Sequence, residues 1–412
     1  MKILIVLGNI SPSDDANTNI ARLIAQEMKG QGHAVAMLGT SFQVAAQEEM
    51  VDGIQYYRIL RLESNRQKEI SLEWQSKHSR KEQILFVIKH PLFFSKLLFR
   101  YIKNRFYDST ERKYIKALRR VAKIEKPHRV VVITSPFYVA TAVEKALKNI
   151  ELIWYQLDPN QSNATEAYKG KKDLLSKEIS LYNRVKFAVV PRLIYEENKQ
   201  NALSKFLPKM RAADFPNVRK MELTDTQDNI TFDTQKINVV FVGTFYEDIR
   251  SPLPFFDIIE QSKDPRLMFH VVGGGCLDLL NKQAENFKDK FIYHGYRSLA
   301  TSVNAMLSAD ILVNVDNLAK NMLPSKLNDY ISACRPIINL HPYPDSESIK
   351  YLNRHPVCLH VCTQEGLKSA TVNEIEIFCI KNASTCLSFE DVIEKYATST
   401  PAYVTKMLLS EI

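Results

Sequence analysis

Short, unbroken apolar runs rich in β-branched residues recur in two series along this 412-residue chain, separated by stretches with helical spacing, and they restrict its fold more than any other feature. Residues 3–7, 33–38, 130–134, 152–157 and 187–190 form the first series; residues 238–242, 267–272, 291–294, 311–315, 336–340 and 358–361 form the second. A strand open to water on one face alternates apolar with polar residues, whereas a run that is apolar throughout expects cover on both faces, as in a parallel sheet. The spacers supply that cover. Ile20, Leu23, Ile24 and Met28 repeat at helical spacing after the first run, and Gly30 and Gly32 close that helix. Further helical spacers are read at 139–147, 254–261, 277–286, 303–309 and 327–333. The alternation predicts an α/β chain of two doubly wound, Rossmann-like domains. Residues 1–215 make the first and 237–388 the second. The polar stretch 216–236, with Pro216 and Asn217, reads as a linker, and 389–412 as terminal helices packing back on the first domain. Two such sheets are expected to face each other across a cleft at the carboxyl ends of their strands, where open α/β sheets bind ligands.

The chain carries 55 Lys and Arg against 46 Asp and Glu, a net +9, which raises nucleic acid or an anionic membrane as partners. The excess is local. Residues 77–129 hold nine lysines and seven arginines against four acidic residues, a net +12, which leaves the rest of the chain at −3. A nucleic-acid-binding fold more often spreads its basic face over a whole domain; one cationic segment on a near-neutral body suggests a docking patch, so no nucleic-acid partner is expected. Within 84–129, Phe86, Phe93, Phe94, Phe99, Tyr101 and Phe106 interleave with Lys89, Lys96, Arg100, Lys103 and Arg105. That mixture suits a helix lying in an anionic bilayer interface and, equally, a core helix pair with a solvated cationic face. No run of 18 uncharged apolar residues occurs, no signal peptide is read at the start, and six cysteines without a CxxC pair suit a reducing compartment. The expected location is cytoplasmic, with the basic segment as a peripheral foothold on the inner face of the plasma membrane. His355, Cys358, His360 and Cys362 match no common zinc spacing and are accounted for by a β-strand, so no metal is expected.

Gly273, Gly274 and Gly275 follow the run 267–272 and precede a helical stretch. Such a corner lets backbone N–H groups reach a phosphate without Cβ interference, or simply serves a turn that needs positive φ. No GxGxxG with a trailing acid follows the first run, so a nicotinamide or flavin site lacks its fingerprint. Residues 323–338 are the most informative. Pro324 and Ser325 set a helix start, Lys326 falls in the first turn, and Asp329 lies one turn on. A cation there opposes the helix dipole unless an anion joins it. A phosphate would meet N–H groups and Lys326 together, with Asp329 accepting from ribose hydroxyls; the alternative is an ordinary surface lysine and a solvated aspartate. Asp158, just past the run 152–157 and so on the cleft side of the sheet, is the first-domain candidate for holding a ligand hydroxyl, the alternative being an Asx turn before Pro159. Asn9, Ser11, Asp14 and Asn17 in the loop that Gly8 opens after the first run, with Ser135 and Tyr138, are weaker candidates: each could hydrogen-bond a ligand, and each could equally cap a helix.

Taken in order, Val242-Gly243-Thr244, residues 270–275, His294-Gly295-Tyr296 and the segment from Pro324-Ser325-Lys326 to Pro336 resemble the nucleotide-binding half of a GT-B glycosyltransferase of the family 4 type. The Gly8 loop and the helix ended by Gly30-Gln31-Gly32-His33 resemble that family's acceptor-side domain. The resemblance spans the chain apart from the basic segment. It implies a retaining, metal-independent transferase without a cofactor, moving a sugar from a nucleotide diphosphate sugar, read as a UDP-sugar, to a lipid-linked saccharide in surface-polysaccharide synthesis. Under it, Arg250 and Lys326 would neutralise the diphosphate leaving group and Asp158 would serve the acceptor. Gly243, Thr244, Gly273, Gly274, Gly275 and Ser325 would lie against donor phosphate or sugar, Tyr296 near the base, and Asp329 on the ribose. Asn321 stands where the family's paired-glutamate motif has its first glutamate, an amide in place of a carboxylate. Fixed cations and N–H dipoles suit the charge that a departing diphosphate develops, and the chain contains no Asp-x-Asp. A nucleotide-sugar epimerase or hydrolase on the same fold, and a non-enzymatic nucleic-acid or anionic-membrane binding protein, are the competing readings.

Overall fold

The computed structural model of the protein describes residues 1–12, 16–61, 86, 88–91, 95, 109–134, 136–157, 173–319, 323–324 and 326–410. They form two compact units, Met1–Pro216 with Pro401–Ile412, and Asn217–Thr400.

The first unit is built on an eight-stranded sheet. In chain order the strands are β1 (Lys2–Asn9), β2 (Ala34–Ser41), β3 (Glu48–Val51), β4 (Ile54–Leu60), β5 (Arg129–Thr134), β6 (Glu151–Gln156), β7 (Phe187–Pro191) and β8 (Met210–Ala213). Their order across the sheet is β3-β4-β2-β1-β5-β6-β7-β8, and every pair is parallel except β3 with β4. The unbroken apolar runs are explained by cover on both faces. Leu4 and Val6 of β1 point into one core, shared with Tyr114, Leu118 and Val121 of the Ser109–Glu125 helix. Ile3, Ile5 and Leu7 point into the other, shared with Ile20, Ile24 and Met28 of the Ala16–Gly30 helix and with Val404 and Leu408 of the Pro401–Leu409 helix. Each such buried side chain contributes roughly 1.5–3 kcal/mol over exposure.

The second unit carries six parallel strands, β9 (Ile237–Thr244), β10 (Leu267–Gly274), β11 (Phe291–Gly295), β12 (Ile311–Val315), β13 (Ile337–His341) and β14 (Cys358–Cys362). Their order, β11-β10-β9-β12-β13-β14, reverses direction between β9 and β12. A doubly wound sheet opens a crevice at the carboxyl ends of two such strands. Val239 and Phe241 of β9 face one core with Phe255, Ile258 and Ile259, and Val240 and Val242 face the other with Leu327, Tyr330 and Ile331. Among the described residues no helix is long and apolar enough to cross a membrane.

Three details depart from the sequence reading. Residues 217–236 are part of the second unit: Val218 is fully buried in its core, Met221, Ile230 and Phe232 pack against that core, and Thr224 exchanges two hydrogen bonds with the Asn304 side chain. Polarity hid this, because a strip that covers a core with a few apolar residues in an irregular path leaves no periodic signal. The terminal helices also divide. Phe389–Lys395 belongs to the second unit, where Val392 is buried, and only Pro401–Leu409 returns to the first. The third is the antiparallel pair β3–β4, closed by a two-residue turn at Asp52 and Gly53, both at positive φ.

Candidate functional site

At the carboxyl ends of β9 and β10 the glycines solve a crowding problem. Gly273 has φ +139°, and a Cβ there would fall 1.8 Å from the Gly243 carbonyl oxygen; Gly275 has φ +77°, and a Cβ there would fall 1.9 Å from the Phe245 carbonyl oxygen. Both are excluded for any side chain. The first two glycines are still in β10, not beyond it, and the backbone then turns through left-handed Cys276 into the Leu277–Asn286 helix. A Cβ on Gly274 would meet the Tyr296 ring at 2.3 Å. Tyr296 follows β11 at positive-φ Gly295, and its ring, 68% exposed, rests on the Gly274 backbone. The glycine stretch is thus required by packing, and it also leaves a bare strip of backbone beside an exposed aromatic face.

Arg250 is brought to the same edge by a tight turn. Tyr246 N–H donates to the Arg250 carbonyl at 3.1 Å and Arg250 N–H to the Tyr246 carbonyl at 2.7 Å, folding the guanidinium back toward Gly243. There Nη2 donates to Asn317 Oδ1 at 2.9 Å and Nη1 reaches the Thr244 carbonyl at 3.5 Å, while the buried Nε has no partner among the described residues. Burial lowers the Arg250 pKa, opposed by Tyr330, Asp316 and Tyr246. Asp316 and Asn317 occupy the two positions after β12, and both are buried. Burial raises the Asp316 carboxyl above the usual range, and hydrogen bonds from Ser348 and the Asn317 N–H, with the charges of His341 and Arg250, pull it back. A buried cation with an orphaned donor, beside a carboxylate that it does not grip directly, is a place where an anion gains more than it does in water.

Lys326 and Asp329 are arranged otherwise than the sequence suggests. Lys326 is the N-cap of the Leu327–Ser332 helix rather than a first-turn residue, and six residues make too short a helix for an anion site of its own. Its Nζ lies 3.2 Å from Asp329 Oδ2, while Arg219 Nη1 and Asn217 Nδ2 reach Asp329 Oδ1 at 3.0 and 3.1 Å. Asp329 is therefore neither solvated nor open: it is buried and ties residues 217–219 to the helix. At the next position, the Tyr330 hydroxyl accepts from the Val242 N–H at 2.8 Å and donates to the Val242 carbonyl at 3.0 Å, pinning the helix to the end of β9. Of the two cations singled out from sequence, Lys326 is compensated by contact and Arg250, among the described residues, is not.

The structure brings Gly243, Thr244, Gly273, Gly274, Gly275 and Arg250 to one edge, with Tyr296 on the glycines. Asp14, Ser135, Asp158, Asn321 and Ser325 lie outside the described residues, as does most of the aromatic part of the basic segment. In the first unit, the loop after β1 is held by side chains from elsewhere. The Tyr114 hydroxyl reaches the Leu7 and Gly8 carbonyls at 2.9 and 2.6 Å, Thr18 Oγ1 donates to the Asn9 carbonyl at 3.1 Å, and Arg58 Nε to the Ser11 carbonyl at 2.5 Å. Tyr138 meets Tyr114 edge-on at 5.7 Å, and Asn17 is half-buried in the first turn of the Ala16–Gly30 helix. Asp316, Asn317, Tyr330 and Arg219 were missed from sequence. A signal existed for the first two, since a polar pair directly after a buried run marks the carboxyl end of a strand. Among the described residues no group of three or more His, Cys, Asp and Glu side chains is placed to hold a metal ion. His355 Nδ1 pairs with the Val357 carbonyl and His360 with Asn339.

No family model and no curated protein sequence matches the chain. Solved structures do. Sucrose-phosphate synthase from Thermosynechococcus elongatus is similar over 99% of this chain and 97% of its own, with a TM-score of 0.61 at 10% identity. HepE from Anabaena, solved in complex with UDP and glucose, is similar over 99% and 95%, with a TM-score of 0.55 at 10% identity. The lipopolysaccharide outer core galactosyltransferase WaaB, in its apo form, is similar over 98% and 97%, with a TM-score of 0.53 at 12% identity. The fold of this chain is that of the GT-B glycosyltransferases, two Rossmann-like α/β units.

Proposed function

We propose that the protein is a retaining, metal-independent glycosyltransferase that moves a sugar from a UDP-sugar to a lipid-linked saccharide in surface-polysaccharide synthesis. One observation carries the reading: at the strand-order reversal of the second sheet, a buried arginine whose Nε–H has no partner among the described residues stands beside a side-chain-free backbone strip and an exposed tyrosine ring. These are the parts needed to hold a nucleoside diphosphate. Arg250 neutralises the diphosphate as it departs, the strip from Gly273 to Gly275 with Gly243 and Thr244 lets phosphate or sugar approach the main chain, and Tyr296 offers its face to the base. Lys326 is a second cation, held in place by Asp329, whose part is anchoring rather than open acceptance of ribose. The acceptor is assigned to the carboxyl edge of the first sheet, with Asp158 receiving its hydroxyl. UDP in the HepE structure and the lipopolysaccharide role in the name of WaaB support the choice of base and acceptor class.

A panel of nucleotides tests the donor: UDP, and not ADP or GDP, is expected to raise the thermal midpoint, since a ligand that binds only the folded state stabilises it. Products separate transfer from hydrolysis or epimerisation. Sugar release or inversion of a ring carbon that ignores a saccharide acceptor sinks the transferase reading, and activity lost to EDTA sinks metal independence.

The membrane part of the proposal rests on electrostatics. Tyr114, Leu118 and Val121 of the Ser109–Glu125 helix are spent on the core, and Arg112, Lys113, Lys116, Arg119, Arg120 and Lys123 are exposed, with Arg112, Lys116, Arg119 and Lys123 at the spacing of one ridge. Such a ridge attracts anionic lipid at about 1 kcal/mol per cation near the surface, and salt screens it. Flotation with vesicles containing phosphatidylglycerol is expected to carry the protein up at low salt. Changing Arg112, Lys116, Arg119 and Lys123 to Gln should leave it in the bottom fraction, and flotation indifferent to those changes would remove this helix from the docking surface.

A further inference from the structure

Behind Arg250 runs a continuous line of buried hydrogen bonds. Asn314 Nδ2 donates to Asn339 Oδ1 at 2.7 Å, Asn339 Nδ2 to Ser348 Oγ at 3.0 Å, and Ser348 Oγ to Asp316 Oδ2 at 2.6 Å. Asp316 Oδ1 accepts the Asn317 N–H at 2.8 Å, and Asn317 Oδ1 accepts Arg250 Nη2 at 2.9 Å. The second proton of the Asn339 amide points to His360 Nδ1 at 3.2 Å, and the Asp316 N–H donates to the Leu340 carbonyl at 2.9 Å. Asn314, Asp316, Asn339 and Ser348 are all buried, Asn339 and Ser348 completely. A core gains nothing in stability from such a line that apolar side chains of the same volume would not give it more cheaply. Satisfied throughout, it does fix one arrangement of the groups at its end.

We infer that Asp316, Ser348 and Asn339 are positioning residues for Arg250: anchored from β12, β13 and the Glu347–Leu352 helix, they set the Asn317 side chain, and Asn317 sets the guanidinium. Asp316 meets Arg250 through space while both its oxygens are bonded elsewhere, so it stabilises the cation without occupying the donors that an anion needs. The line explains why Arg250 can stand with Nε unused among the described residues and still keep one orientation. This inference rests on the reading of Arg250 as the anion-binding cation, and it fixes which neighbours make that reading work.

Two measurements on the full chain test it. The first is the ¹⁵Nε–¹Hε resonance of Arg250 in the ligand-free protein, assigned by its disappearance in Arg250→Lys. The second is the affinity for UDP by calorimetry. Ser348→Ala and Asp316→Ala are expected to move that resonance to the position and exchange rate of solvent-exposed arginines and to weaken UDP about tenfold, with the core amide spectrum retained. Asp316→Asn, which keeps an acceptor for the Asn317 N–H, is expected to leave the resonance near its original place and the affinity within about threefold. A resonance unmoved in Ser348→Ala and Asp316→Ala overturns the inference, as does Asp316→Asn behaving like Asp316→Ala. Should the resonances behave as expected while the unaltered protein ignores UDP, the nucleotide reading fails and the positioning of Arg250 stands.

Discussion

Replacing Arg250 by alanine is expected to lower kcat/KM for sugar transfer by roughly 10²–10³, the cost of removing one fixed donor from a site where negative charge develops. UDP binding should weaken by roughly ten- to a hundredfold, since a hydrogen bond to a charged group is worth about 1.5–3 kcal/mol. Folding should barely notice. Among the described residues the guanidinium spends two of its five N–H groups on Asn317 and Thr244 and buries Nε without a partner, so the stability it returns offsets its desolvation at best. Arg250→Lys should not rescue activity, because an ammonium cannot reach Asn317 and Thr244 as a fork and still offer a further donor to an anion. The separation of the two effects is the content of the prediction: if Arg250→Ala loses as much thermal midpoint as activity, Arg250 is a structural arginine, and the donor site lies elsewhere.

The glycine stretch makes the opposite forecast, a large loss of stability. Gly273→Ala places a methyl 1.8 Å from the Gly243 carbonyl oxygen, backbone against backbone within a parallel pair, so β9 and β10 must separate. A cost above about 4 kcal/mol is expected, which corresponds to a midpoint lowered by roughly 8 °C or more. Gly366→Ala is the control: φ there is +78°, yet nothing lies within 4 Å of the new methyl, so only the strain of the left-handed backbone remains, roughly 1–2 kcal/mol. Gly274→Ala separates packing from binding. The obstacle there is an exposed tyrosine ring that can swing away, so stability should hold while Tyr296 is displaced and UDP affinity drops. Equal midpoints for Gly273→Ala and Gly366→Ala would mean that the two strands do not approach as closely as described.

The fold was legible because buried parallel strands write themselves as unbroken apolar runs. Eight of the eleven, from residues 3–7 to 358–361, fall inside strands of the two sheets, and those at 33–38, 152–157 and 336–340 each overrun their strand by one residue. β3 and β4 were not read, since an edge hairpin with Glu48, Glu49 and Gln55 looks like a loop until Asp52-Gly53 is recognised as a two-residue turn with both φ positive. The glycine triplet and Arg250 could be located by sequence, and the reason for the triplet could not, because the carbonyls it avoids belong to Gly243 and Phe245, about 30 residues away. Lys326 and Asp329 misled for a related cause. Spacing put them near each other, but the third partner, Arg219, sits in a polar strip that no periodicity assigns to the sheet. Ser348 and Asn339 gave no sign at all, for an isolated serine or asparagine inside an apolar pattern is indistinguishable from chance until its partners are placed.

The return of the Pro401–Leu409 helix to the first unit makes the second unit an insertion. In chain topology Asn217–Thr400 is a cassette carried within a host whose two ends both belong to the same core. Truncation after Pro216 would therefore strip Val404 and Leu408 from beside Ile24 and Met28 and expose an apolar groove along the Ala16–Gly30 helix. Replacement of the cassette as one block, between Pro216 and Pro401, disturbs neither core. Evolution and engineering alike have in that pair of crossings a place to exchange one whole unit while the other keeps its own core.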